Sequence, residues 1–283
     1  MSNGSGINHI ADTALWVAMY RAHESKRPDA LFQDPLAERL AGERGRQIAG
    51  AMPFPKIMNW VLVIRTVAID RLILKAIERT IDTVVNLGAG LDTRPYRMSL
   101  PPSLRWIEVD FPHMIDFKNE QLAAEKPACR LERIAMDLSD IAERRELFRR
   151  LGSESKKMLV ITEGVVIYLS PEDAASLSED LYAVPAFRYW IQDYRQGGLK
   201  QWGAQRMKEA LKDTPFRFGP IDWLNFFTKQ GWTIGEIILS WDESLRVRRP
   251  FPFIFPWSLL TIALPRKARQ KWREASGYVM YSK

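Results

Sequence analysis

Sulfur and imidazole groups are scarce in this sequence. Cys129 is the only cysteine among 283 residues, so no disulfide can form within the chain. There are only three histidines, and no His, Cys or Asp cluster has metal-ligand spacing, which predicts no metal centre. No apolar run reaches about 18 residues, and the polar opening at 2–6 is unlike a signal peptide. We therefore expect a cytoplasmic enzyme with no membrane partner.

Concentrated charge is also missing. The 41 basic and 34 acidic residues leave a net charge of +7, and the basic ones form only short clusters at 144–145, 246–249 and 266–273. Such clusters are typical of a solvated surface, and an RNA or membrane patch is the alternative. Because no cluster interleaves with aromatic residues in the pattern of a binding module, we expect no nucleic-acid partner. The length allows one large domain or two small ones.

A third glycine is missing from the most informative stretch, Thr83-Val-Val-Asn-Leu-Gly-Ala-Gly-Leu-Asp-Thr-Arg-Pro-Tyr-Arg97. The stretch predicts a strand, a tight turn at Gly88-Ala89-Gly90 and a helix capped by Asp92 or Thr93. The dinucleotide fingerprint would place a glycine where Thr93 stands, so a bound pyrophosphate is disfavoured. A nucleoside ligand would still need the first two glycines for close approach, whereas an ordinary strand-to-helix turn needs no ligand.

Acidic residues follow three later strand candidates. Apolar runs end at Asp110, at Asp137-Leu138 and at Glu163-Gly164. Asp110 lies about twenty residues after the glycines, the offset at which an acid accepts hydrogen bonds from ribose hydroxyls. Because ligands of open parallel sheets bind at the carboxyl ends of strands, we expect these acids and the glycine turn to share one nucleoside-sized site.

These motifs resemble the leucine carboxyl methyltransferase family, a branch of the class I S-adenosyl-L-methionine-dependent methyltransferases. The resemblance includes Asp34-Pro35 and Arg65-Thr66, covers roughly residues 10–190 and is looser in the last third of the chain. It implies S-adenosyl-L-methionine as the cofactor and S-adenosyl-L-homocysteine as the product. It also implies an α/β, Rossmann-like fold with a mostly parallel seven-stranded sheet and helices on both faces.

We predict an N-terminal helical cap over 1–80 and a methyltransferase core domain over 81–283, with a helical lid insertion around 196–230. In the cap, we expect Asp34 to cap a helix with Pro35 at its first position, and 59–80 to form a long helix. In the core, 188–195 is predicted to be the fifth strand. Two further strands at 233–240 and 258–264 could form an antiparallel pair at the sheet edge.

The resemblance also implies site roles. Arg65 would bind the carboxylate of the methionine moiety and Glu163 its ammonium, although a salt bridge from Arg65 to Asp70 or Glu78 is the structural alternative. Asp110 would bind the ribose hydroxyls, Asp137 the adenine amino group, and Leu138 would pack on the ring. The predicted cofactor-binding residues are Arg65, Gly88, Ala89, Gly90, Asp92, Asp110, Asp137, Leu138, Glu163 and Gly164.

Methyl transfer from a sulfonium needs orientation and a dry site more than a catalytic base, so no catalytic residue is assigned. An alcohol or phenol acceptor would gain from a base, for which His23 and Tyr168 are the only candidates. The aromatic residues after position 180 favour a small aromatic or polyketide-like acceptor. The candidate substrate-binding residues are Arg21, His23, Tyr168, Tyr194 and Trp202.

The sequence therefore predicts O-methylation of a small-molecule hydroxyl or carboxylate. Methylation of a protein carboxyl terminus is the alternative within the family. Alternatives of other classes are a nicotinamide-dependent oxidoreductase, in which Arg94 or Arg97 would bind phosphate, and an RNA methyltransferase or RNA-binding module. A family member that binds the cofactor or a partner without turnover is a further alternative.

Overall fold

A seven-stranded sheet of order β3-β2-β1-β4-β5-β7-β6 forms the centre of the molecule. The computed structural model describes residues 10–197, 209, 213–252 and 265–283. Strands β1 to β5 are parallel, and β7 runs antiparallel to both of its neighbours. The predicted mostly parallel α/β sheet is confirmed. The strands are β1 (Thr83–Leu87), β2 (Arg105–Asp110), β3 (Arg130–Ala135), β4 (Met158–Thr162), β5 (Phe187–Arg195), β6 (Thr233–Leu239) and β7 (Ser276–Ser282).

The central strands are apolar because helices cover both of their faces. Every residue of β1 and of β4 is buried, the pattern expected for a parallel sheet enclosed between two helical layers. The helices are α1 (Ile10–Ser25), α2 (Ala37–Ala51), α3 (Pro55–Glu78), α4 (Arg94–Arg97), α5 (Pro112–Gln121), α6 (Ile141–Glu154), α7 (Pro171–Ala183), α8 (Trp223–Thr228), α9 (Ser240–Arg246) and α10 (Arg266–Glu274), with a 3₁₀ turn at Val166–Tyr168.

Two core clusters occupy the two faces of the sheet. On one face, residues of α6, α7 and α8 pack against alternate strand residues such as Val85, Val160 and Trp190. On the other face, α3 packs against the intervening residues, among them Val84 and Ile191. A third cluster joins α1 and α2 to Leu91, Met114 and Leu122 near the carboxyl ends of the first strands. Among the described residues, no helix has the length and apolarity needed to cross a bilayer.

Strand β7 differs from the prediction. The stretch 258–264, predicted to pair with β6, lies outside the described residues, and the strand that pairs with β6 is Ser276–Ser282. The apolar part of β7, Tyr278 to Tyr281, is only four residues long. The stretch 258–264 is a longer apolar run, so the sequence pattern favours it as the strand. The antiparallel pairing itself is as expected, but β7 lies inside the sheet and leaves β6 at the edge.

Asp34 does not cap a helix. Helix α2 begins at Ala37, and the Asp34 side chain accepts hydrogen bonds from Arg21 Nε at 2.8 Å and Thr93 Oγ1 at 2.7 Å. Its carboxylate therefore joins distant segments of the chain. Because the helix begins at Ala37, the prediction of Pro35 at the first helical position is also wrong. Ser170 and Asp222 do cap helices, each accepting a hydrogen bond from a backbone amide of its own first helical turn. The predicted helix at 59–80 is α3, which begins earlier, at Pro55.

Candidate functional site

The topological switch point of the sheet lies between β1 and β4. Chain connections leave these adjacent strands in opposite directions, toward β2 on one side and β5 on the other. Ligands of open α/β sheets bind in the crevice outside the carboxyl ends of such strands. The turn Gly88-Ala89-Gly90 follows β1 and Glu163-Gly164 follows β4, so the two motifs face each other at this edge.

The glycine turn has a backbone that other residues adopt poorly. Gly88 has φ of +65° and Gly90 has φ of +48°, both in the left-handed region. A Cβ on Gly88 would lie 2.5 Å from Cγ2 of Val165, so the turn after β1 is in direct contact with the turn after β4. The amides of Gly88 and Ala89 donate to the carbonyl of Val109 at 2.8 and 3.2 Å, which ties the turn to β2.

Asp110, the last residue of β2, holds the glycine turn from the other side. Its Oδ2 accepts a 2.6 Å hydrogen bond from the Gly90 amide, and its Oδ1 accepts one of 2.7 Å from the Phe111 amide. Burial raises the pKa of Asp110, and these two backbone bonds act in the opposite direction. Each oxygen keeps a lone pair, so the carboxylate can still accept two hydrogen bonds from a diol.

The Asp92 side chain stabilises the glycine turn through hydrogen bonds to residues on either side of it. The side chain accepts hydrogen bonds from Asn86 Nδ2 at 2.8 Å, from the Arg94 amide at 2.9 Å and from Arg94 Nη1 at 2.8 Å. Burial alone would raise the pKa of Asp92, but the charges of Arg94 and nearby cations outweigh it and the pKa is well below its usual range. The structure therefore places this predicted cofactor-binding residue in bonds within the protein.

Glu163 lies between two arginines. Its Oε1 is 2.8 Å from Arg65 Nε, and its Oε2 is 2.8 Å from Arg94 Nη1. Burial raises the pKa of Glu163, but the charges of Arg94 and Arg65 lower it by more, so the carboxylate stays ionised. The alternative salt bridge from Arg65 to Asp70 or Glu78 is not formed. Arg65 instead lies near Asp193, whose Oδ2 is 3.7 Å from its Nη1.

One buried donor of Arg65 has no aligned hydrogen-bond partner. The Arg65 Nε is close to Glu163 but is not aligned for a hydrogen bond, although it is buried. A buried donor without an aligned partner is costly, so this guanidinium suits an additional anionic group. A Cβ on Gly164 would lie 3.1 Å from Arg65 Nη1, so the glycine after Glu163 lets the arginine reach this position.

Asp137 and Leu138, the two residues predicted to contact adenine, are more exposed to solvent. Asp137 is exposed, and its Oδ1 accepts a 2.9 Å hydrogen bond from the Ser139 amide, while Leu138 is partly buried against the core. The Met136 amide donates to the Asp110 carbonyl at 2.8 Å, so the segment after β3 is tied to the end of β2. Asp137 and Asp110 thus follow adjacent strands at one edge.

The candidate substrate residues divide into separate locations. Arg21 is buried and joins Asp34 to the Leu91 carbonyl, which is 2.5 Å from its Nη2. His23 is exposed and its ring contacts the ring of Tyr20. Tyr168 is partly buried against Phe216 just after β4, and burial raises its pKa to about 12.

Of the last two substrate candidates, the structure describes only Tyr194. Tyr194 is 5% exposed and packs in the core cluster that contains Trp190. Burial raises the Tyr194 pKa above its usual range, as expected for a phenol enclosed by apolar side chains. Trp202 lies outside the described residues.

Arg94, Arg97 and Asp70 form a network that the motifs did not predict. Arg94 Nε donates to Asp70 at 2.6 Å, and both Arg97 terminal nitrogens donate to the same carboxylate at 2.6 and 2.9 Å. The only sequence signal was the pair of arginines three apart after the glycine turn. Because their guanidinium groups are already bonded to Asp70, neither is placed to bind a dinucleotide phosphate.

The charge of this edge suits a cationic nucleoside. Among the described residues, six carboxylates meet five guanidinium groups here, so the edge is slightly negative: Asp34, Asp70, Asp92, Asp110, Glu163 and Asp193 against Arg21, Arg65, Arg94, Arg97 and Arg195. A sulfonium nucleoside carrying an amino acid has a net positive charge, whereas a nicotinamide dinucleotide carries two phosphates. No group of three His, Cys, Asp or Glu residues in the described part of the chain could hold a metal.

Comparison with known proteins identifies relatives over most of the chain. The family model described as leucine carboxyl methyltransferase matches residues 14–181. A Parafrankia protein named "putative S-adenosyl-L-methionine-dependent methyltransferase" is 31% identical over 272 residues, covering 87% of this chain and 84% of that protein. A Mycobacteroides abscessus protein with the same description is 31% identical over 279 residues, covering 85% and 89%.

Solved structures share the fold at low sequence identity. A "putative methyltransferase" from Thermobifida fusca has a TM-score of 0.60 at 15% identity and covers 99% of this chain and 96% of its own. A DUF574 family protein from Streptomyces avermitilis has a TM-score of 0.58 at 15% identity, covering 94% and 96%. At this identity the likeness concerns the fold alone.

Proposed function

This chain belongs to the leucine carboxyl methyltransferase family and is an S-adenosyl-L-methionine-dependent methyltransferase, and from that premise we propose that it methylates an oxygen of a small molecule. The acceptor oxygen belongs to a hydroxyl or a carboxylate. The observation that carries the proposal is the meeting of the glycine turn with two acids, Asp110 and Glu163, at the switch point. Methylation of a protein carboxyl terminus is the alternative within the family.

The described residues can bind each part of the cofactor. Asp110 is held by two backbone amides and can accept both ribose hydroxyls. Glu163 remains ionised between its two arginines and can accept the methionyl ammonium, while the Arg65 guanidinium, which has one donor without an aligned partner, can bind the methionyl carboxylate. Asp137 and Leu138 follow β3, where the adenine would reach beyond the ribose. These roles are proposals that follow from donor and acceptor chemistry.

The reaction itself makes modest demands on the protein. The sulfonium supplies the activated methyl group, so the chain must orient the acceptor in line and exclude water. A carboxylate acceptor needs no base. Tyr168 has its pKa raised to about 12 and is a donor at neutral pH, and His23 is exposed to solvent. Neither residue therefore supports a mechanism that needs a general base.

Calorimetry with S-adenosyl-L-homocysteine tests the site. We expect micromolar binding by the wild type and a loss of about 1.5–3 kcal/mol in Asp110→Ala, the cost of an unmade charged hydrogen bond. Asp116→Ala is the matched control because Asp116 is an exposed residue of the neighbouring helix α5. Failure of the wild type to bind at high micromolar ligand, or an equal loss in both variants, would contradict the site.

The acceptor type needs a second experiment. Wild-type protein is incubated with methyl-labelled cofactor and a panel of small hydroxy acids, phenols, carboxylic acids, amines and thiols, together with a peptide that has a free carboxyl terminus. The products are then treated with mild base. A methyl ester releases labelled methanol, whereas a methyl ether retains the label. Label transferred only to nitrogen or sulfur acceptors would exclude O-methylation, and transfer to a peptide carboxyl terminus alone would favour the protein substrate.

A further inference from the structure

Strand β5 extends beyond the strand beside it. The last paired residue of β4, Thr162, lies opposite Gln192, and β5 continues for three more residues to Arg195. These residues pair only with β7 on their other side, where Arg195 lies opposite Ser276. At about 3.3 Å per residue, the chain places Arg195 roughly 10 Å past the end of β4. It therefore projects from the same sheet edge as the cofactor site.

Arg195 lies on the face of the sheet that carries Arg65. Side chains alternate along a strand, so Arg195 and Asp193 share the face of Ile191, which packs in the cluster formed by α3. The Asp193 carboxylate accepts a 2.8 Å hydrogen bond from the Gly164 amide and lies near Arg65. Arg195 is thus two residues further along the face that contains the Glu163 end of the site.

Arg195 differs from the other arginines at this edge. Arg21, Arg65, Arg94 and Arg97 each lie within 4.0 Å of a carboxylate. Arg195 has intermediate exposure, and within the described parts of the chain it forms neither an ion pair nor a hydrogen bond. Burial lowers the pKa of Arg195, and the charge of Asp193 only partly opposes this. A partly buried cation without a partner is costly to maintain, which indicates an anionic ligand.

We propose that Arg195 binds a carboxylate of the methyl acceptor and that this carboxylate is not the group that is methylated. The proposal rests on the proposed function, because it requires an acceptor beside the cofactor. The arginine fork matches a carboxylate with two parallel hydrogen bonds, which would orient the molecule across the end of β5. The acceptor class is therefore a small acid that carries a second nucleophilic oxygen, such as a hydroxy acid.

The bound carboxylate is a spectator for an energetic reason. Methylation turns a carboxylate into a neutral ester, so its ion pair with Arg195 would weaken as the transition state forms. An interaction that is stronger in the ground state than in the transition state raises the barrier. An anchor for a non-reacting group has no such cost, because its charge does not change during transfer. The methyl group then goes to the hydroxyl oxygen of the same molecule. The new carbon–oxygen bond forms as the sulfur–methyl bond of the cofactor breaks, S-adenosyl-L-homocysteine is the leaving group, and the hydroxyl proton is released to water.

Binding of benzoate to the protein saturated with S-adenosyl-L-homocysteine tests the anchor, and benzamide is the uncharged counterpart. We expect the wild type to bind benzoate at least tenfold more tightly than benzamide. Arg195→Met should lose this preference, with its affinity for S-adenosyl-L-homocysteine unchanged. Arg188→Met is the matched control, since Arg188 is an exposed residue at the other end of β5 and should keep the preference.

Two results would overturn the anchor. One is equal affinity for benzoate and benzamide in the wild type, and the other is the same preference in Arg195→Met. Thermal unfolding of the free protein gives a second test, because a structural role for Arg195 would make its removal lower the unfolding temperature. We expect Arg195→Met to unfold at the same or a higher temperature than the wild type, whereas an arginine with a structural partner would lower it on removal. Loss of S-adenosyl-L-homocysteine binding by the wild type would instead reject the proposed function.

Discussion

The amide of Gly90 donates a 2.6 Å hydrogen bond to the carboxylate of Asp110. The turn after β1 and the end of β2 are thereby fixed to each other before any ligand arrives. A carboxylate held in this way loses little freedom when it accepts further hydrogen bonds, so its geometry is preorganised for a diol. The same contact makes the protonation of Asp110 important for both the turn and the ligand.

Acidification should weaken cofactor binding through Asp110. Burial raises the Asp110 pKa, so this carboxylate is protonated at a higher pH than an ordinary aspartate as the solution becomes acidic. Only the ionised carboxylate accepts hydrogen bonds at all of its positions. The affinity for S-adenosyl-L-homocysteine should therefore fall as pH drops toward the raised pKa, which titration calorimetry between about pH 7 and 4 can follow.

Asp110→Asn supplies the comparison for this pH dependence. The amide cannot ionise, so its weaker binding should be flat over the same pH range. A variant that keeps the wild-type slope would assign the titration to another group.

Glu163→Gln should lower stability in a pH-dependent way. The folded-state pKa of Glu163 is lowered from 4.5, so its stabilising effect is fully present above about pH 4.5 and is lost as pH falls through the lower folded value. At pH 7 the variant should be less stable by about 1–3 kcal/mol, because Arg65 and Arg94 lose a partner. Urea unfolding at pH 7 and at pH 3 measures the difference, which should shrink at the lower pH.

Glu146→Gln is the control for that series. Glu146 forms an exposed ion pair with Arg149 within α6, and exposed pairs contribute little to stability. A pH-independent loss in Glu163→Gln, or an equal loss in the control, would count against an ionised Glu163 as the source.

Gly88→Ala should destabilise the protein and weaken cofactor binding. An alanine here would have to adopt a left-handed backbone, and its Cβ would lie 2.5 Å from Val165 Cγ2. Backbone strain and overpacking therefore both destabilise the variant. Together these effects predict a loss of about 2–4 kcal/mol. Combining Gly88→Ala with Val165→Ala should recover the overpacking part but not the strain. Thermal unfolding of the two single variants and the double variant checks this, and full recovery would show that backbone strain is negligible.

The buried pair of Glu108 and Lys118 lies next to the site, since the charge of Lys118 acts to lower the pKa of both Asp92 and Asp110, and it gives a stability prediction. Both side chains are 0% exposed with 2.8 Å between Glu108 Oε2 and Lys118 Nζ, and Arg133 Nε lies 2.8 Å from the same oxygen. Glu108→Gln leaves a fully buried ammonium without an anion and should cost about 3–5 kcal/mol. Lys118→Met should cost less because Arg133 still balances Glu108.

The double variant separates the pair from simple truncation. Glu108→Gln with Lys118→Met should be more stable than Glu108→Gln alone, as judged by urea unfolding, because no buried ammonium remains unpaired. Strict additivity of the two single changes would contradict a direct interaction between them.

Much of the fold was predictable because its signals are local. The glycine turn and the acids after β2 and β4 follow apolar runs at fixed spacings, and parallel strands bring their carboxyl ends to one edge. The pairing of Arg94 with Glu163 and Asp70 was not predictable, since these residues come from three distant segments. The apolar residues around Arg65 in the sequence indicate that it needs an anionic partner, but which partner it contacts depends on how α3 packs.

Two errors have the same physical origin. Asp34 precedes a proline and a helical stretch, which is a local capping signal, but its carboxylate bonds to Arg21 and Thr93 instead. Strand β7 was missed because its apolar core is short, and only its pairing with β5 and β6 stabilises it as a strand. In both cases tertiary contacts override a local preference.

The position of β7 between β5 and β6 has a consequence for biosynthesis. Residues leave the ribosome in sequence order, so β5 emerges first, then β6, and β7 only after residues 196–275 have been made. Among the described strands, β6 touches the sheet only through β7, and β5 has an open edge until β7 arrives. A nascent chain must therefore keep two unpaired strand edges from aggregating during this interval, which makes β5 and β6 natural binding sites for chaperones on the ribosome.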